Sequence, residues 1–292
     1  MAPPEADVPR VHVAVADVHV RFTAPANAPR GPDSTRRWGR PAVVPRLGNG
    51  PAVVVRALAG ISLVARAGEA IGVVGLNGSG KSTLLRTIAG LERPARGTVL
   101  ASSAPVLLGV NAAMVGALTG RENLRLGCLA MGMSPAEVDA AHDGVVALAG
   151  IGDAVDRPMR TYSSGMAARL RFAIAAAAQP EVLLIDEALA TGDAAFRQRS
   201  TDRIEQLRRG AGCVFLVSHG ARTIEETCTR AIWLHQGRLV LDGGAAEVAQ
   251  RYAGWAAELS AGDDAAAAAT LAEAFTEGTD TVVALDARRE SA

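Results

Sequence analysis

Lys81 is the only lysine in the chain; every other member of its 30 Lys and Arg residues is arginine. It sits in the run GLNGSGKST from Gly75 to Thr83, where Gly75, Gly80, Lys81 and Ser82 match the spacing G-x-x-x-x-G-K-[ST]. A compact ammonium on a flexible stem reaches phosphate oxygens as a point charge, which a planar guanidinium does not replace. Glycines at 75, 78 and 80 let the backbone N–H groups from Asn77 through Ser79 to Thr83 converge on an anion. The helix expected after them points its positive end the same way, and the Ser82 hydroxyl is placed to ligate Mg²⁺. ATP or GTP with magnesium is the implied ligand.

A second cluster completes this chemistry. The apolar run Val182 to Ile185 delivers Asp186 and Glu187 at its end, where ligands of α/β sheets bind. Asp186 is expected to hold Mg²⁺, and Glu187 to face the γ-phosphate and orient or deprotonate the attacking water.

Elements must position these groups. Val11 to Val20 alternates as a strand that ends at Phe22, and residues 23–50, rich in Pro, Gly, Arg and Asn, read as an exposed loop. Apolar runs return at 53–55, 61–64 and 71–74, the last leading into the phosphate loop. From about 118 to 178 the pattern is helical. Thr119 with Glu122 and Ser134 with Glu137 are helix-start signals, the latter with Pro135 at the first helical position, and Gly150 or Gly152 closes the second segment. Strands resume at 182–185 and 213–217 around an amphipathic helix over 194–209. Residues 232–241 read as a hairpin with a Gln-Gly turn, and 246–258 as a last core helix. The fold class is α/β, a parallel sheet with an inserted helical subdomain, in one domain over 1–258. An Ala-rich, partly flexible tail with a possible helix at 265–275 occupies 259–292.

Thirty acidic residues balance thirty basic ones and 49% of residues are apolar, so the chain is expected to build a substantial core without a net field for nucleic acid. Cys128, Cys213 and Cys228 form no C-x-x-C pair and read as small buried residues of a protein in a reducing cytosol. No run approaches a spanning helix, so membrane contact is expected to go through a partner.

The run Thr161 to Met166, TYSSGM, followed by AARLRFAIA, resembles the signature of ATP-binding-cassette ATPases. The resemblance runs from about Val11 to Tyr252. It implies a P-loop NTPase fold with a RecA-like parallel core, an antiparallel β subdomain and the inserted helical subdomain, with ATP as substrate. It also implies that Tyr162, Ser163, Ser164, Gly165 and Met166 close over the γ-phosphate held by a second copy, in an ATP-bound homodimer. Asp193 resembles the D-loop aspartate, His219 the switch histidine that contacts the γ-phosphate, and Phe22 the ring that stacks on adenine. No glutamine stands where the family's Q-loop would lie, and Asn111 is the polar residue available there.

Tyr162 to Met166, Ile185 to Asp193 and Leu118 to Asn123 are similar to exporters of bacterial surface polysaccharides such as teichoic acid, O-antigen and capsule. This implies a polytopic permease partner and a place at the cytoplasmic face of the membrane. An importer, a drug exporter and a soluble mechanical ATPase of the same family are the alternatives.

Overall fold

The computed structural model describes residues 10–25, 43–45, 51–108, 114–186, 194–218, 220–278 and 281–283. Two sheets organise them. An antiparallel sheet has the order β2-β3-β1-β5, from β1 (Val11–Pro25), β2 (Val43–Pro45), β3 (Pro51–Arg66) and β5 (Arg96–Ala101). The other has the order β10-β9-β4-β8-β7-β6, from β4 (Ala70–Val74), β6 (Val106–Leu107), β7 (Val182–Ile185), β8 (Cys213–Val217), β9 (Arg230–His235) and β10 (Arg238–Gly244). All neighbours in the second sheet are parallel except β9 and β10, which form the expected hairpin.

The centre of the parallel sheet is buried on both faces, which is why β7 reads as an unbroken apolar run rather than an alternating one. Helix α1 (Lys81–Ile88) follows β4 and packs Leu84, Leu85 and Ile88 into a core shared by both sheets, with Val15, Leu58, Ile61, Ile71, Phe215 and Leu234. The two carbon-rich surfaces that meet there fix α1 against the sheet, and so fix the loop before it.

Three helices fill the inserted segment: α2 (Gly120–Ala130), α3 (Pro135–Ala149) and α4 (Ser164–Ala177). Both capping boxes form, with Thr119 and Ser134 accepting from the backbone N–H of Glu122 and Glu137. Each such cap is worth about 1 kcal/mol. Gly150 closes α3 in the left-handed region at φ 61°, a conformation that Gly adopts without strain. Leu124, Cys128, Val138, Val145, Leu170 and Ile174 make this subdomain's own core. Phe172 of α4 meets Phe196 of α5 (Ala194–Gly210) edge-on at 5.6 Å and ties it to the parallel sheet.

Two expectations are corrected. β1 does not stop at Phe22 but runs to Pro25, and 43–45 form a strand within the segment expected to be a loop. Register shifts after Val11, Val15, Val18 and Val20 bend β1 and break its two-residue period, which hides its length. The runs at 53–55 and 61–64 belong to one strand, β3. The helix expected within the tail at 265–275 is present and packs on the core domain. After α6 (Ala221–Thr227) and α7 (Ala245–Ala261), α8 (Asp264–Glu277) buries Ala267 and Ala274 against α7 and β10. Arg251 pairs with Glu277, and Arg238 stacks on Phe275.

Candidate functional site

β4 ends at Val74, and the chain turns through the glycine-rich loop into α1. Gly75, Gly78 and Gly80 have φ of 148°, 80° and 108°, which a side chain would strain. Two of them are also closely approached: a Cβ on Gly75 would overlap the Leu234 carbonyl, and one on Gly80 would lie 2.7 Å from the Ala57 carbonyl. A Cβ on Gly78 would have nothing within 4 Å among the described residues, so the loop is open on that side.

Helix α1 starts from Gly80 with no side-chain cap and no acidic residue in its first turn, leaving donor groups and a positive end directed at the loop. The Ser79 hydroxyl, in a residue only 4% exposed, has no hydrogen-bond partner among the described residues. Lys81 is 7% exposed, and its Nζ donates to the carbonyls of Gly75 at 2.7 Å and Leu76 at 2.9 Å. An ammonium held across the loop by carbonyls can exchange them for anionic oxygens, which accept more strongly.

The cleft over this loop has a volume of about 490 Å³ and is lined by Asn77, Gly78, Gly80, Lys81, Ser82 and Thr83, by Asp186, and by Val55, Arg56, Ala57 and Val217. The structure thus brings Asp186, at the end of β7, to the same cleft as Lys81 and Ser82. Its size, its donors and the Asp186 carboxylate suit a nucleoside triphosphate. One hydroxyl and one carboxylate beside a polyphosphate are also a fitting donor set for Mg²⁺, which takes one or two protein carboxylates and completes its shell with phosphates and water.

Phe22 is not among the lining residues. It is 41% exposed and pairs across the strands with Val55, which does line the cleft. Val55, Arg56 and Ala57 lie within β3 and Val217 at the end of β8; the sequence carries no spacing signal for them, because only the pairing of the sheets brings them beside the loop. Arg56 stands directly opposite Arg21 in the β1–β3 pairing, an arrangement that like charges disfavour. Glu187, Asn111, Asp193 and His219 lie outside the described residues.

The Tyr162 to Met166 segment lies elsewhere. Ser163 caps α4, its hydroxyl accepting from the Met166 N–H at 3.2 Å, and Tyr162 donates its hydroxyl to the Ala154 carbonyl at 2.5 Å. Ser163, Ser164 and Gly165 are exposed, Tyr162 and Met166 partly buried. None of these residues lines the cleft of their own chain. A Cβ on Gly165 would meet only the Ser163 hydroxyl, at 3.9 Å, so no neighbour among the described residues requires that glycine.

The ABC transporter family pattern matches residues 58–190. A teichoic acids export ATP-binding protein of Levilactobacillus brevis is 42% identical over 195 residues, 67% of this chain and 54% of that protein. The chain belongs to the ATP-binding-cassette family. The ABC transporter protein AbcA of Aeromonas salmonicida is 40% identical over 200 residues, 68% of this chain and 65% of that one. The chain therefore spans about half to two thirds of the length of these curated relatives.

Solved structures agree on the cassette fold. An ATP-binding subunit of an ABC transporter superposes with a TM-score of 0.59 at 22% identity, covering 83% of this chain and 93% of that one. A dimeric cassette in a post-hydrolysis state bound to ADP and Pi gives 0.58 at 18% identity, covering 80% and 98%.

The four described histidines and the three cysteines lie outside the cleft lining. His12 bonds to the Ser102 hydroxyl at 2.7 Å, His19 to Asp17 at 2.9 Å and His142 to Asp143 at 2.9 Å. His235 meets Trp255 edge-on at 5.2 Å, and burial holds its pKa below the ordinary value. Burial pushes the thiols of Cys128, Cys213 and Cys228 up, the reverse of what a reactive thiol needs. No group of three metal-ligating side chains occurs among the described residues.

Proposed function

We propose that this chain is the ATP-hydrolysing subunit of a transporter that exports a lipid-linked cell-surface polysaccharide, of the teichoic-acid or O-antigen class, through a separate polytopic permease. One observation carries the reading: the phosphate cradle is complete within its own cleft, whereas the Ser163 to Gly165 segment is displayed outside it. Two copies arranged head to tail complete each other's sites. The relatives named for teichoic acid export support the cargo class.

In this reading ATP lays its phosphates over the N-terminus of α1. Lys81 transfers its Nζ hydrogen bonds from the carbonyls of Gly75 and Leu76 to phosphate oxygens. Ser82 and Asp186 are the residues that would hold Mg²⁺, and Asn111 is the polar residue available where the family's Q-loop glutamine would lie; the ion would supply charge neutralisation on the transferring phosphoryl group. Phe22 stacks on adenine beside Val55. Glu187 takes a proton from the attacking water, His219 contacts the γ-phosphate, and the products are ADP and phosphate. Ser163, Ser164 and Gly165 of the second copy bring hydroxyls and a helix N-terminus to the same phosphate. Tyr162 and Met166 hold that segment from behind, and Asp193 sits in the loop resembling the D-loop.

Nucleotide binding closes the dimer and hydrolysis reopens it. Helices of the 118–178 subdomain pass the motion to the permease at the cytoplasmic face of the membrane. No helix among the described residues is itself long and apolar enough to cross one.

The test is purification of the tagged Glu187→Gln chain from its own membranes in mild detergent with Mg-ATP. The expected result is retained ATP, hydrolysis lowered by about a hundredfold or more, and a co-purifying polytopic permease. A soluble ATP-dependent dimer with no membrane partner would instead favour a mechanical ATPase.

A further inference from the structure

The phosphate loop is braced by a turn that no phosphate-binding motif includes. The β9–β10 hairpin turns through Gln236 and Gly237, with φ of 49° and 77°, the paired left-handed conformation of a tight hairpin. Gly237 donates its N–H to the Ser79 carbonyl inside the loop at 2.8 Å, and its own carbonyl accepts from the Ala59 N–H of β3 at 2.8 Å. A Cβ on Gly237 would stand 2.6 Å from the Ala57 carbonyl, the same atom that a Cβ on Gly80 would approach to 2.7 Å. The Ala57 backbone is therefore wedged between two glycines, one in the phosphate loop and one in the hairpin turn. At the other end of the loop, the Leu234 carbonyl of β9 leaves no room for a Cβ on Gly75.

We infer that Gly237 is a positioning residue of the nucleotide site: its N–H and its bare Cα set the path of Ser79 and Gly80 into α1. A side chain at 237 must displace either Ala57, a wall of the cleft, or the loop itself, and both shift the donors that face the phosphates. The hairpin is itself rigid. Arg230 donates to both oxygens of Asp242 at 2.6 Å across it, and Trp233 packs at 5.1 Å on Trp255 of α7. Strain at the turn is thus passed to the loop rather than absorbed behind it.

The inference rests on the nucleotide reading of the cleft, and a matched pair of substitutions in the full chain separates the two. Gly262 closes α7 with φ 78°, and a Cβ there would have nothing within 4 Å among the described residues, so Gly262→Ala carries the same backbone strain without touching the loop. Mg-ATP affinity measured by calorimetry, alongside thermal melting, should fall on the order of tenfold in Gly237→Ala and stay unchanged in Gly262→Ala. Equal affinities in the two variants overturn the inference. If Gly237→Ala does not fold, hydrogen exchange on the unmodified chain decides: Mg-ATP should slow exchange of the Gly237 amide and leave that of Gly262 unaltered. The same response at both amides overturns the inference. An unmodified chain that binds no Mg-ATP fails the nucleotide reading first and takes this one with it.

Discussion

Two helix N-termini in this chain are free of acidic residues and lined by serine and glycine, yet they are built in opposite ways. At α1 the glycines are crowded by backbone from β3 and β9, the lysine is buried, and no side chain caps the helix. At α4 a serine caps the helix, the glycine has open space, and the first residues face solvent. The first terminus is shaped by its own chain to receive an anion. The second is finished as a helix end and offered outward. Glycine means different things at the two: at Gly75 and Gly80 neighbours within the fold forbid a side chain, while at Gly165 nothing among the described residues does.

Substitutions can break this contrast. The largest effect is expected from Lys81→Ala, which removes the charge-assisted donor from the crowded terminus. Mg-ATP affinity should fall by on the order of a hundredfold in calorimetry, and unchanged affinity would erase the distinction. Gly165→Val at the displayed terminus should leave the affinity of the isolated chain intact while hydrolysis drops by a comparable factor, on the order of a hundredfold. Weakened binding in the monomer would mean that the segment acts within its own chain.

Smaller effects sharpen how the displayed terminus is held. A Cβ on Gly120 would overlap the Tyr162 hydroxyl and lie 2.9 Å from the Val155 carbonyl. Gly120→Ala should therefore cost about 1–3 kcal/mol, read as a lower Tm. An unchanged melt would show that the support behind Tyr162 yields freely. Ser163→Ala removes the α4 cap at about 1 kcal/mol, again by thermal melting.

The smallest expectation concerns Cys213, whose pKa burial raises from 9.0 to about 12. A raised folded-state pKa favours the protonated form. Its stabilisation is complete below the ordinary thiol value and is lost as pH climbs from there to about 12. Alkylation at neutral pH should be far slower in the folded chain than in denaturant, as mass spectrometry would report.

The sequence was legible where the signal is local. Thr119 with Glu122 and Ser134 with Glu137 announce helix starts because donor and acceptor are three residues apart. The Gln236–Gly237 hairpin shows for the same reason, and the β7 run ends in Asp186 because a doubly covered strand must be apolar until it reaches the ligand edge. Legibility failed where geometry depends on distant partners. β1 hides its length behind bulges fixed by pairing with β3, and α8, whose helical character shows at 265–275, is alanine-rich and gives no stripe to mark the face it buries. Its burial depends on small side chains fitting closely against β10. The lining residues Val55, Arg56 and Ala57 owe their place to the sheet that carries them past the phosphate loop.

The solitary lysine also makes the chain an unusual subject for amine chemistry. Apart from the α-amino group, the ε-amine at 81 is the one primary amine on which an acylating reagent can act. Reagents that join proteins through lysines have almost nothing to join on this chain, so a negative cross-linking result carries no information about dimerisation. Because the Lys81 amine is buried and bonded to the Gly75 and Leu76 carbonyls, the rate of its single mass increment, compared with and without Mg-ATP, follows the opening of the phosphate loop without a tag or an engineered residue.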